Sequence, residues 1–366
     1  MTDKNHWQLI PAQEYECPAP PTVMRLKQQW RRLLRTLGVV KSADLAINEE
    51  QSEPDPPDFT ASAAQAALAG YLSDVDCAQQ GVCFLLDPPF SGTAAMARTW
   101  GWQQGRALLT PPTDEQIAQV AVDDWWLQQP MVKGQVHTQA WLIDDLACYF
   151  LRTAAGLHFI RAWLPRVLAG EFGVGLIVCD SWAFAFLSRD WPQNLPSSHS
   201  LAPATPDLLR QLGIKGKDHL LERLAGEARG NLGLAWALWR GKYVDQQSLP
   251  VLPVTANDAT GFILYALLLH RGLSLTQLAE VLSNVALDEL KVQLLSLSQR
   301  GIIYADVESG AENGAKSDAE RDAKRDAVTG SVAEGDSNET PWRITALAYL
   351  TVREFLGGRD YLLDDF

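Results

Sequence analysis

Between Ala61 and Ser188 short, unbroken apolar runs alternate with helical patterns, and this constrains the fold more than any other feature of the chain. An alanine-rich helical pattern over 61–73 leads into the run Val82–Leu86, a proline–glycine turn and a second helical pattern from Thr93 to Gly101. Ala107–Leu109 and Gln139–Ile143 follow as strand candidates, then a long helical pattern through Leu168 and the apolar run Val174–Cys179. A strand with one solvated face alternates apolar and polar residues. Strands that are apolar throughout, with helices between them, belong to a parallel sheet covered on both faces. The expected core is therefore α/β.

The flanking segments divide the chain further. Residues 1–21 are proline-dotted and read as irregular. The stretch TVMRLKQQWRRLLRTLGVV then places Val23, Met24, Leu26, Trp30, Leu33, Leu34 and Leu37 on one helical face, and carries six basic residues and no acid between Thr22 and Lys41. The segment Asn48–Thr60, acidic and rich in proline, reads as a linker, which puts a boundary near residue 60. Residues 61–204 form the α/β unit, and 205–250 hold only helical patterns. From 251 to 366 the pattern is three helices, with Ser274 as an N-cap, then the strand IIYADV, a polar tract over 308–340, the strand WRITA and a closing helix. Three helices and a β-hairpin make a winged helix with the polar tract inserted in its wing. That tract buries too little to offset its ordering entropy, so it is expected to be disordered.

The segment Val82–Ala97, VCFLLDPPFSGTAAMA, has the layout of a phosphate-binding loop, with a buried strand, a proline–glycine turn and a helix N-terminus. It resembles the Walker A region of AAA+ and STAND-type signal-transduction ATPases, whose usual form is close to GPPGSGKS. Laid on this sequence the pattern becomes Asp87-Pro88-Pro89-Phe90-Ser91-Gly92-Thr93-Ala94. The prolines, the serine and the second invariant glycine agree with the family. Asp87 and Phe90 replace glycines, Thr93 replaces the phosphate-binding lysine, and Ala94 replaces the hydroxyl that holds Mg²⁺. Asp87 sets a carboxylate against a polyphosphate, and Phe90 is expected to crowd the loop. The resemblance extends to Trp141-Leu142-Ile143-Asp144-Asp145 as a Walker B-like strand, and to Asp180 and Ser181 at the sensor position after Gly175–Cys179. It implies a P-loop NTPase-like parallel sheet, a helical lid over 205–250 and a winged helix. It also implies that ATP and Mg²⁺ are cofactors only if the site still works, with Asp144 and Asp145 as its catalytic acids. Otherwise the chain has no cofactor, no metal and no catalytic residue.

Charge and composition narrow the function classes. Lys and Arg number 31 against 44 Asp and Glu, a net charge of −13, which argues against a protein that coats nucleic acid. The expected wing carries ten acids against four bases, the wrong balance for gripping phosphates. No run approaches the length of a membrane-spanning helix, and the first residues carry acids where an export signal needs an apolar core. The five cysteines show no C-x-x-C pair and read as reduced thiols. The six histidines lack H-x-x-x-H spacing and read as incidental; Trp125, Trp126, Trp236 and Trp239 read as filling core or interdomain seams. The expectation is a non-hydrolysing scaffold or regulatory subunit, cytoplasmic, that docks protein partners and is capable of self-association. Arg31, Arg32 and Arg35 on the 22–38 helix are the expected docking residues, with peripheral attachment to the inner membrane face as the alternative. The competing functions are a weak or working ATPase and a winged-helix DNA-binding regulator.

Overall fold

The first strand among the described residues lies in a segment that reads as irregular. β1 (Leu9–Pro11) pairs antiparallel with residues 199–201, and backbone pairing, not an apolar run, gives it order. Its proline is tolerated because β1 lies at the sheet edge. The computed structural model describes residues 7–18, 62–74, 81–133, 140–190, 198–306 and 339–366. The expected helix at 22–38 with Arg31, Arg32 and Arg35, the acidic linker, and all but the last two residues of the 308–340 tract lie outside these.

The α/β core follows. After α1 (Ser62–Asp74) come β2 (Val82–Asp87), α2 (Thr93–Gln103), β3 (Ala107–Leu108), α3 (Asp114–Ala118) and α4 (Val122–Leu127). Then come β4 (Ala140–Ile143), α5 (Ala154–Leu168), β5 (Val174–Asp180), α6 (Ser181–Asp190) and β6 (Ser198–Leu201). The six strands form one sheet in the order β1-β6-β2-β5-β4-β3, parallel except for β1. Every residue of β2 is buried, as are Trp141, Leu142 and Ile143 of β4 and all of β5 after Val174. The α/β class is thus borne out. β6, with the sequence SHSL, has no apolar run and was not anticipated.

Register matters at one point in the sheet. Trp141 and Gly175 are partners across β4 and β5, and the Trp141 indole lies flat over the glycine while its Nε1–H donates to Phe172 O at 2.7 Å. A Cβ at Gly175 would sit 2.2 Å from the indole. Trp125 packs edge-on against Tyr149, Phe159 and Trp163, Trp236 and Trp239 are buried, and Trp126 is half-buried against the core. Cys83 is disulfide-bonded, which corrects the expectation of five reduced thiols, whereas Cys17, Cys148 and Cys179 are free.

The remaining described residues are mostly helical. α7 (Pro206–Gln211), α8 (Asp218–Glu227) and α9 (Leu232–Trp239) each begin at a residue in extended conformation, Thr205, Lys217 and Asn231, and α9 runs into a π-helical turn over Arg240–Val244. α10 (Asp258–Leu269), α11 (Leu275–Val281) and α12 (Leu287–Gln299) come next, and Ser274 caps α11 as expected, accepting from Gln277 N–H. β7 (Ile303–Ala305) and β8 (Trp342–Ile344) form an antiparallel pair, Leu273 bridges to Trp342, and α13 (Ala346–Gly357) follows. No helix among the described residues is long and apolar enough to cross a membrane.

Candidate functional site: a carboxylate cluster closed by an arginine

Parallel strands bring the carboxyl ends of β2, β4 and β5 to one edge of the sheet, where α/β proteins place their ligands. Asp87 and Asp180 are register partners there, and Asp144 and Asp145 follow β4. The phosphate-loop-like turn of residues 88–92 rises from the same edge. Gly92 (φ 80°) and Phe90 (φ 70°) both take left-handed backbone; glycine does so freely and phenylalanine at a cost. Phe90 does not crowd the loop. Its ring packs edge-on against Tyr349 of α13, 5.8 Å between centroids.

The loop already holds an anion, and that anion is its own. The Asp87 carboxylate is fully buried, and its Oδ1 accepts the Thr93 N–H at 3.0 Å and the Ser91 hydroxyl. Thr93 N–H belongs to the first turn of α2, a donor that a phosphate would otherwise claim. Ser91 and Thr93 hydroxyls lie 2.9 Å apart and complete the ring around the carboxylate. Asp87 therefore caps α2 from within the strand before it.

The cation that neutralises this carboxylate comes from far along the chain. α10 ends at Leu269 with His270 as its C-cap, and Arg271 (φ 54°) and Gly272 (φ 122°) turn the backbone sharply. The turn drives the Arg271 guanidinium into the carboxylates, with Nη1 2.6 Å from Asp87 Oδ2 and Nε 3.8 Å from Asp145 Oδ2 and 4.0 Å from Asp180 Oδ2. Asp145 Oδ1 accepts Ala147 N–H at 3.0 Å, and Asp180 Oδ1 accepts Trp182 N–H at 2.8 Å. Asp144 points elsewhere and pairs with Arg98 of α2 at 2.7 Å. The two Walker B-like acids are thus split: Asp145 joins the cluster and Asp144 does not.

The single guanidinium faces two fully buried carboxylates, Asp87 and Asp180, and the partly exposed Asp145. Burial pushes the Asp180 carboxyl well above the usual carboxylate range, against the pull of Arg271 and with help from Asp145 and Asp87. Burial raises Asp145 as well, again opposed by Arg271. Asp180 Oδ2 has no hydrogen-bond partner in this arrangement. A carboxyl raised by folding makes the fold lose stability as pH climbs from the unfolded value toward the folded one. Asp180→Asn keeps the acceptor for Trp182 N–H and removes the titration. Its melting temperature relative to wild type should therefore be more favourable at pH 8 than at pH 5. A variant that loses more at pH 8 would show an ionised Asp180 held by Arg271.

His270, one of the six histidines with no metal-ligand spacing, has a structural place beside the cluster. Its Nε2 accepts Arg152 N–H at 3.2 Å, its Nδ1 faces Ala147 O at 3.5 Å, and its ring meets Phe150 edge-on. Burial pushes it down to about 4, which fits a neutral ring with Nε2 accepting. It seats the end of α10 on the segment after Asp145, and so positions its neighbour Arg271.

Ser181, the sensor-like hydroxyl, is also engaged. It donates to Asp364 Oδ2, and Asp364 pairs with Arg353 of α13. Trp182 Nε1–H donates to Tyr349 at 3.2 Å beside them. From α9, Asn231 Nδ2–H reaches back to Pro89 O at 2.7 Å. Pro88, Ser91, Leu232 and Tyr15 enclose a cavity of only about 10 Å³ beside the loop, room for a single water at most. Ala94 is buried, and no group of acids, cysteines or histidines among the described residues is arranged to hold a metal ion.

Arg271, His270, Arg353 and Asp364 were missed in the sequence reading. No protein-family model matches the chain, and no curated protein matches it in sequence.

Proposed function

We propose that this chain is a non-hydrolysing scaffold or regulatory subunit, built on a P-loop NTPase-like core with a helical lid and a winged helix, that docks protein partners. The observation that carries this reading is the Asp87–Arg271 pair. The carboxylate takes the loop donors that a phosphate would need, and the arginine takes the place of the missing lysine as the site's cation. A nucleotide would have to displace a buried ion pair and would bring its own negative charge to Asp87, Asp145 and Asp180. Leu273, bridged to Trp342, and the β7–β8 pair after α10, α11 and α12 support the winged-helix reading.

The DNA-binding alternative has little to work with. The exposed face of α12 offers Asp288, Glu289, Val292 and Leu295 with one base, Lys291, which suits a protein surface better than phosphates. The ATPase alternative needs the lysine and the hydroxyl that Thr93 and Ala94 replace. The test is turnover. Purified protein should release phosphate from ATP no faster than buffer, and Thr93→Lys should not change this, because Asp87 and Arg271 remain in place. Hydrolysis that disappears in Asp145→Asn would overturn the proposal.

A further inference from the structure

An open groove lies away from the carboxylate cluster, where the turn after α9 meets the β7–β8 unit and α13. It has a volume of about 780 Å³, and its walls include Trp236, Arg240, Leu249, Val251, Arg300 and Tyr304. We propose that this groove binds a short peptide segment of a protein partner, one that sets an acidic side chain beside bulky apolar ones. This rests on the docking reading above and names the partner's chemistry.

Three features point to that ligand. The first is the apolar surface left open: Val251 is 68% exposed and Leu249 36%. The second is charge. The charged side chains lining the groove are Arg240, Arg300 and Asp245, a net positive set on a chain of net charge −13. Asp245 is already drawn to Arg240 (3.5 Å), whose guanidinium lies over the Trp236 ring. Arg300 is exposed and has no carboxylate partner among the described residues. The third is the wall itself. Arg240–Val244 is a π-helical turn, a distortion that recurs at functional sites, and it is pressed so closely on α13 that a Cβ at Gly241 would meet Leu347 at 2.7 Å. The floor is thus rigid and the rim cationic. A basic segment such as residues 22–38 would be repelled by the arginines. The 308–340 tract has the acids but almost no large apolar side chains.

The test pans phage-displayed random twelve-residue peptides on the full chain. An enriched peptide, made with a fluorescein label, is then titrated by anisotropy. Enriched sequences should carry Asp or Glu next to Trp, Phe or Leu. Arg300→Glu and Val251→Asp should each weaken binding at least tenfold, and Lys215→Glu, an equal charge change on an exposed loop, should not. Changing the peptide's acid to Lys should restore binding to Arg300→Glu. Failure to enrich any peptide, enrichment without acids, or binding indifferent to Arg300→Glu would overturn the proposal. So would capture that requires shortening of residues 308–338, because the chain's own tract would then fill the groove. None of these outcomes touches the Asp87–Arg271 pair, which the turnover measurement tests separately.

Discussion

Arg271→Ala is expected to lower the unfolding free energy by about 3–5 kcal/mol, the cost of breaking a buried ion pair by removing one partner. The variant leaves Asp87 buried with no cation, beside Asp145 and Asp180. It also frees the turn after α10 from the sheet edge, so the loss should appear as looser packing of α10 on the α/β core as well as lower stability. Chemical denaturation of the full chain measures it. The size of the effect separates this arginine from surface ion pairs such as Arg210–Asp207, whose removal should cost well under about 1 kcal/mol. Placing Arg271→Ala in an Asp180→Asn background should reduce the loss, because two groups in one cluster do not act additively. An Arg271→Ala variant as stable as wild type would mean that the carboxylates are neutral without it.

Gly175→Ala should be nearly as damaging, by a different mechanism. Three atoms of the Trp141 ring lie 2.2–2.3 Å from where the new Cβ would stand. The ring has no room to retreat, because its Nε1–H is tied to Phe172 O and the residue is fully buried. Overpacking a core usually costs about 1–3 kcal/mol, and a clash between a mid-sheet Cβ and a fixed indole belongs above that range, at about 3–5 kcal/mol. Soluble yield and denaturant midpoint would report it. Trp141→Leu on its own opens a cavity, but combined with Gly175→Ala it should cost less than the two changes summed. A Gly175→Ala protein with the wild-type midpoint would contradict the packing described for β4 and β5.

How much of this was legible in the sequence follows from where the information sits. The strands β2, β4 and β5 are buried on both faces, so their apolar runs announce them. β1 and β6 are short, hold Pro11, Ser198, His199 and Ser200, and exist because their backbones pair with each other and with β2; no local pattern encodes that. The three acids Asp87, Asp145 and Asp180 were legible because each follows an apolar run. Arg271 was not, since a basic residue before a glycine at a helix end reads as an ordinary C-terminal charge. Its partner Asp87 lies 184 positions earlier. One signal could have prompted the search: an aspartate at the end of an apolar run, buried with its strand, must find a cation elsewhere. His270 went unread for the same reason, as its partners Arg152 and Ala147 become neighbours only after folding.

The most direct test of the central claim, that the loop's anion site is filled by the chain's own Asp87 and closed by Arg271, is a calorimetric titration of the full chain with ATP and with ADP, each with and without Mg²⁺. The account predicts no saturable heat with either nucleotide up to millimolar concentration. Saturable binding at micromolar concentration, abolished by Asp145→Asn and accompanied by release of Arg271 from Asp87, would contradict it.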